Sequence, residues 1–169
     1  MKILIVSDTH RKDDNLERVI REQAPLDMLI HLGDAEGSEY AIAEWVNEGC
    51  LLEMVMGNND FFSSLDREIE LTLGPHKILL THGHYYNVSL SVENLYEEAV
   101  ERGCDIAMYG HTHRPFLDIR KKVTILNPGS LSYPRQEGRK PSYMIMTMDA
   151  DGTVHYDQRY LEPERTERW

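Results

Sequence analysis

Five short segments constrain this chain more than any other feature, because each follows directly on an apolar run. They are Asp8-Thr9-His10, Gly33-Asp34, Gly57-Asn58-Asn59-Asp60, His82-Gly83-His84 and Gly110-His111-Thr112-His113. The runs before them are Ile3 to Val6, Met28 to Ile30, Leu51 to Met56, Lys77 to Thr81 and Ile106 to Tyr109. Short apolar runs rich in branched residues are predicted to be strands, and the first of them suits a strand buried on both faces. In α/β architectures the sheet fixes the backbone while the loop after each strand exposes its side chains, so those loops line the ligand crevice. The five segments are therefore expected to converge at one edge.

The connecting stretches alternate with the strands at first. Asp13 or Asp14 is predicted to cap a helix carrying Leu16, Val19 and Ile20 at helical spacing, closed by Pro25. Ser38 is expected to cap a second helix running through Glu48, with Gly49 as its stop. Later the chain turns mostly to strands. Glu68 to Leu73 and Lys77 to Thr81 read as a hairpin around Gly74-Pro75, and Ser91 starts a helix that Gly103 stops. Phe116 to Ile119, Val123 to Leu126, Tyr143 to Met148 and Val154 to Tyr160 complete the strands, with Asp151-Gly152 turning the last hairpin. No repeat or linker interrupts the pattern, and only Glu162 to Trp169 reads as loose. At 169 residues and 41% hydrophobic, the chain suits one domain over residues 1–169.

The ligand types carry the chemistry. Five of the eight histidines fall inside the strand-end segments, beside aspartates, asparagines and glycines. Two divalent cations need a bridging carboxylate between them and imidazole, carboxylate or amide oxygen around them, and this chain offers that set. Taken singly, Asp8, Asp34 and Asn58 are equally well read as turn-formers after strands. His111 and His113 are harder to explain without a ligand, since on a strand they would share one face.

Composition bounds the partners. A formal charge of −11 disfavours non-specific nucleic-acid binding, although metal ions can reverse the charge inside a site. Cys50 and Cys104 lack a pairing motif and read as buried reduced thiols. The opening apolar run is too short for a signal-peptide core or a membrane span, so a soluble cytoplasmic protein is expected.

With all five segments in order, followed by Asn127-Pro128-Gly129-Ser130, the chain resembles the calcineurin-like metallophosphoesterases, in particular their small bacterial and archaeal phosphodiesterase branch. The resemblance implies two mixed β-sheets packed as a sandwich and flanked by helices, in four αββα layers. It implies two divalent ions per subunit, with Mn2+ the first choice and Ni2+, Fe, Zn2+ or Mg2+ as alternatives. Asp8, His10 and His113 would bind the first ion, Asn58, His82 and His111 the second, and Asp34 would bridge them. The implied activity is hydrolysis of a small phosphodiester by metal-activated water. The alternatives are a phosphomonoesterase or protein phosphatase on the same site, or a non-catalytic scaffold such as the sorting-complex subunit that resembles this branch. Relatives in the branch are often homo-oligomeric.

One position departs from the family pattern. Many members place a histidine after the metal-binding asparagine, to protonate the leaving group or to stabilise the transition state, and here that position is Asn59, whose amide can donate a hydrogen bond but supplies no proton at neutral pH. Esters with acidic leaving groups are therefore expected substrates. His84 reads equally as a substrate contact and as a loop histidine. Asn127 to Ser130 and Arg135 lie where the family has a loop near the site. His31, His76 and His155 are expected to be structural, and Tyr85, Tyr86 and Tyr133 to pack.

Overall fold

The computed structural model describes residues 1–163. The chain runs β1 (Lys2–Val6), α1 (Asp14–Gln23), β2 (Met28–His31), α2 (Glu39–Trp45), β3 (Leu51–Met54), β4 (Glu68–Leu73) and β5 (His76–Thr81). A single 3-10 turn at His84–Tyr86 leads to α3 (Glu93–Glu101), β6 (Ile106–Met108), β7 (Pro115–Ile119), β8 (Thr124–Pro128), β9 (Ser142–Met148) and β10 (Val154–Tyr160). One sheet has the order β10-β9-β1-β2-β3 and the other β4-β5-β6-β8-β7. β1, β2 and β3 are parallel to one another, as are β5, β6 and β8, while antiparallel strands occupy the flanks.

The continuous apolar runs follow from this layering. Ile3 and Ile5 of β1 and Ile30 of β2 pack between the sheets against Ile78, Leu80 and Met108. Leu4, Val6 and Leu29 point the other way, onto Leu16, Val19 and Ile20 of α1 and Ile42 of α2. Leu79 and Ala107 on the outer face of the second sheet meet Leu95 and Ala99 of α3. Side chains alternate across a strand, so a strand covered on both sides must be apolar at every position. The result is the four-layer αββα sandwich expected from the sequence. Among the described residues, no helix is long and apolar enough to cross a membrane.

Several boundaries differ from the sequence expectation. α2 ends at Trp45 rather than Glu48, because Val46 turns extended (ψ 151°). The Asn47 side chain then clamps the chain back to Leu26, accepting from its N–H at 2.8 Å and donating to its carbonyl at 3.1 Å. Neither Asp13 nor Ser38 caps its helix. Instead the Ser38 hydroxyl donates to the Asp13 carboxylate and ties the two helix starts together. α3 begins at Glu93 rather than Ser91, whose hydroxyl accepts from the Glu93 N–H at 3.1 Å. Cys104 is buried as expected and Cys50 is only half-buried, and both are free thiols. Of the segment expected to be loose, residues 164–169 lie outside the described residues.

The Asn47 clamp is testable. Asn47→Ala leaves a buried segment without a partner and should lower stability by about 1–3 kcal/mol, read from urea denaturation. A midpoint shift equivalent to less than about 0.3 kcal/mol would show that the clamp contributes nothing.

Candidate metal centre

Five of the parallel strands deliver the candidate ligands. β1 leads to Asp8 and His10, β2 to Asp34, β3 to Asn58, β5 to His82, and β6 to His111 and His113. Their loops are laced together by main-chain bonds: Asp8 N–H to Gly33 O at 3.0 Å, His10 N–H to Asp34 O at 2.8 Å and Gly110 N–H to His82 O at 3.1 Å.

Two donor groups result, with Asp34 between them. In the first, Nε2 of His10 and Nε2 of His113 are 3.2 Å apart, and His113 Nε2 lies 3.3 Å from Asp8 Oδ1. In the second, Asn58 Oδ1 lies 3.0 Å from His82 Nε2 and 3.1 Å from His111 Nδ1. Asp34 Oδ2 is 3.7 Å from His10 Nε2 and 3.4 Å from His82 Nε2, so one carboxylate oxygen faces both groups. Asp8 Oδ1 is buried and accepts no hydrogen bond, while its Oδ2 accepts from the Ser7 hydroxyl at 2.6 Å and the His111 N–H at 3.0 Å. A buried carboxylate oxygen with no donor, aimed into a ring of imidazoles, suits a cation. The residues present therefore fit the divalent ions that such a donor set holds.

Hydrogen bonds behind the ligands orient them. His82 Nδ1–H donates to Leu32 O at 2.6 Å and His113 Nδ1–H donates to Tyr133 O at 2.7 Å, which turns each Nε2 inward. Burial alone would push the His82 imidazole down, but Asp34 and Asp8 outweigh it and hold the ring up to about 9. Asp34 resists burial in the same way and stays well below the usual carboxylate range, through His82 and the Asn59 hydrogen bonds. Asp8 is also lowered: burial opposes this, and His113, His82 and Ser7 overcome it. A proton on His82 thus balances charge that a metal ion would balance instead, so metal entry must displace it.

The backbone at the site is unusual. Asp8, His10, Asp34, His111 and His113 all sit at φ between 47° and 66°, the left-handed region, which is sparsely populated by residues other than glycine and clusters at functional sites. This corrects the strand geometry expected for Gly-His-x-His. His111 and His113 do not share a strand face; their positive φ angles splay them into the two different donor groups. Glycine is required nearby for close approach. A Cβ on Gly57 would collide with the Asp34 carboxylate, and one on Gly110 with the Ser7 hydroxyl.

Asp60 is the residue to which sequence reasoning gave no role. Its carboxylate accepts the N–H groups of Asp34 at 2.8 Å, Glu36 at 2.6 Å and Gly57 at 2.6 Å. It therefore fixes the turn that carries Asp34. The available signal was its place at the end of Gly57-Asn58-Asn59-Asp60, where an acid can satisfy loop amides.

The remaining candidates fall into place around this core. Asn59 donates its side-chain amide to Asp34 Oδ2 and its main-chain N–H to Asp34 Oδ1, both at 2.9 Å. His84 starts the 3-10 turn with its ring 5.5 Å from that of His82 and its Nδ1 buried without a partner. Burial and then the charge on His82 lower its pKa, so the ring is neutral. Ser130 donates to Asp8 O at 2.8 Å, and Asn127 donates to Gly110 O at 2.9 Å, so the end of β8 and the loop after it support the site. Tyr133 is half exposed beside His10, their rings 5.5 Å apart, rather than packed away. Tyr86 is tied to Glu68. His76 bonds Asp105 and Gly152, and His155 bonds Asp149, both away from the site. His31 is wholly buried: Gly33 N–H donates to its Nδ1 at 3.2 Å, and its Nε2–H donates to Thr9 at 3.0 Å.

The sequence and fold that carry this site are similar to those of known proteins. The sequence model of the calcineurin-like phosphoesterase superfamily domain matches residues 1–151. The chain is 34% identical over 169 residues to a probable metallophosphoesterase, YsnB of Bacillus subtilis, covering 97% of this chain and 95% of the relative. It is 31% identical over 173 residues to phosphodiesterase YfcE of Escherichia coli, covering 88% of this chain and 89% of the relative. Among solved structures, that of a novel archaeal phosphodiesterase is similar with a TM-score of 0.75 at 26% identity, covering 95% of this chain and 100% of that one. The chain belongs to the calcineurin-like phosphoesterase superfamily. That family is hydrolytic and binds divalent metals, and the chain is a metal-dependent phosphoric ester hydrolase.

Two predictions follow from the supports rather than the ligands. Asp60→Ala leaves three amides unpaired and should cost about 3 kcal/mol or more, and should also weaken metal uptake although Asp60 faces no donor group. Urea denaturation and metal content after dialysis check this, and unchanged metal content would refute the positioning role. The second concerns pH. Burial holds His31 down to about 4 against an ordinary 6.5. As pH falls from 6.5 to 4, the unfolded chain gains a proton that the folded chain refuses, so stability is lost over that window. The loss is on the order of 3 kcal/mol. His31→Gln should flatten the stability–pH profile of the metal-free protein there, and an equal slope in both proteins would disprove the assignment.

Proposed function

We propose that the chain acts as one domain that hydrolyses small phosphodiesters over two divalent cations. The observation that carries this reading is Asp34, whose Oδ2 faces His10 Nε2 at 3.7 Å and His82 Nε2 at 3.4 Å. One ion is assigned to Asp8, His10, His113 and Asp34, the other to Asn58, His82, His111 and Asp34. Mn2+ is the first choice among ions that mixed nitrogen and oxygen donors accept, ahead of Ni2+, Fe, Zn2+ and Mg2+. Two such ions neutralise the oxygens of a phosphoryl group and acidify a water.

The chain's own residues set the rest. Two carboxylates against four ionic charges leave the centre net positive, and neutral imidazoles and the Asn58 amide do not quench it. Asn59 pins Asp34 through both its amide groups, so that the bridging oxygen keeps its aim. With its amide so engaged, Asn59 has no proton to deliver to a leaving group. His84, neutral through burial and the His82 charge, is suited at most to hydrogen-bond a bound ester and poorly suited to give up a proton. The site therefore favours leaving groups that depart without protonation. A phosphomonoester carries a further negative charge that calls for additional donors.

The test is hydrolysis of bis(p-nitrophenyl) phosphate and p-nitrophenyl phosphate by metal-stripped protein, with Mn2+, Ni2+, Mg2+ or Zn2+ restored separately. The expected result is metal-dependent cleavage of the diester in preference to the monoester, reduced about 100-fold or more by Asp34→Ala. No hydrolysis with any ion, by folded protein that takes up two of them, would instead favour a binding role. Asn59→His should raise turnover of alkyl diesters by about 100-fold, the low end of what a positioned general acid contributes, and of aryl diesters less. Equal effects on both would refute the leaving-group account.

A further inference from the structure

Most arginines of this chain are spoken for. Arg18, Arg21, Arg102, Arg120 and Arg159 are paired with carboxylates, Arg67 lies over the Tyr85 ring, and Arg11 donates to Glu36 O. Arg114, Arg135 and Arg139 differ: among the described residues their guanidinium groups form no ion pair, no hydrogen bond and no ring contact. All three are exposed, and all three line one open pocket of about 920 Å³. His10 and His113 of the first donor group line the same pocket.

This placement is hard to attribute to chance solvation. The chain carries 29 acidic against 18 basic residues, so an arginine set down at random would readily meet a carboxylate. Glu36 does line the pocket, but its carboxylate lies 3.5 Å from His10 Nδ1, turned toward that ring. Tyr133, also on the wall, draws in Lys12, whose Nζ sits 5.6 Å from the ring centroid. A concave wall with an excess of cations focuses positive potential, and a guanidinium fork matches two phosphate oxygens at once.

We infer that this pocket is an anion subsite, which takes a second phosphate carried by the same substrate molecule whose ester is cleaved at the Asp34 centre. The inference rests on the phosphoesterase reading and narrows it to diesters with a further phosphate on the His10–His113 side. Arg135 and Arg139 come from the loop after β8 and Arg114 from the segment before β7, so the specificity is set by loops and not by the sheet edge that holds the metal ligands.

The experiment compares thymidine 5′-(p-nitrophenyl phosphate) with the same compound bearing a 3′-phosphate, using Mn2+-loaded protein and its Arg114→Gln/Arg135→Gln/Arg139→Gln variant. The expected result is a kcat/KM about tenfold or more higher for the 3′-phosphorylated substrate, expressed mainly in KM and eroded by added salt. In the variant the ratio between the two substrates should fall toward one. In parallel, calorimetry on Mg2+-loaded protein should show thymidine 3′,5′-bisphosphate binding more tightly than thymidine 5′-phosphate, with that difference lost in the variant. A ratio near one in the unaltered protein, or a preference that survives in the variant, overturns the subsite while leaving the phosphoesterase reading intact. Binding of the bisphosphate through these arginines without hydrolysis of either ester would do the reverse.

Discussion

The structure is organised around two carboxylates that have been taken out of water next to each other. Asp8 is wholly buried and Asp34 nearly so, and both lie within 3.8 Å of the same imidazole nitrogen on His82. Neighbouring buried anions are costly unless positive charge is brought to them. In the protein alone that charge is the His82 proton, which is why a buried imidazole is held up to about 9. The same geometry makes a divalent ion the better occupant, since it answers both carboxylates and at the same time takes up the lone pairs of the facing imidazoles, which a single proton on His82 leaves unused. Strand order, loop bonds and helix packing can be read as the means of holding this otherwise repulsive pair in place.

The holding is done at the backbone. Five of the candidate ligands adopt left-handed φ angles without being glycine, a conformation that ordinary loops relax away from. Here relaxation is blocked from several directions. The Asp60 carboxylate grips the amides of Asp34, Glu36 and Gly57. Ser130 grips the carbonyl of Asp8, and His31 joins the first two loops through Thr9 and Gly33. None of these groups is a ligand, yet each determines where a ligand points. Because they sit at the ends of strands whose residues are buried on both faces, the rigidity of the sandwich core is passed directly to the site.

This division explains what could be read from the amino-acid sequence. The apolar runs and the ligand types that follow them are local signals, and they were enough for the order of most strands and for the convergence of Asp8, Asp34, Asn58, His82, His111 and their neighbours, whereas the αββα layering was implied by the family resemblance those segments carry. Hydrogen bonds between distant segments have no local signal. The sequence pattern around Ser38 and Glu48 speaks for a longer second helix, but Asn47 is drawn to Leu26 across 21 positions and ends it early. The same holds for Asp13 and Ser38, which look like caps and in fact bond each other. His111 and His113 looked like one face of a strand because spacing carries no information about φ. Asp60 carries no local sign of its role, since two of its three partners, the N–H groups of Asp34 and Glu36, lie in a loop more than twenty residues away.

Charge shows the same separation of local from global. A formal charge of −11 describes the surface as a whole and argues against gripping a nucleic-acid backbone. It does not describe the approach to His10 and His113, where Arg114, Arg135 and Arg139 line one pocket without acidic partners and the Tyr133 ring on the same wall carries Lys12 over it. An overall acidic protein with one cationic recess discriminates by size: a long polyanion meets repulsion from the surrounding surface, whereas a small phosphorylated diester enters the recess and escapes most of it over a screening length of about 8 Å at physiological salt. Under the proposed subsite, net charge becomes a positive selector for small phosphoesters and not merely an argument against large ones.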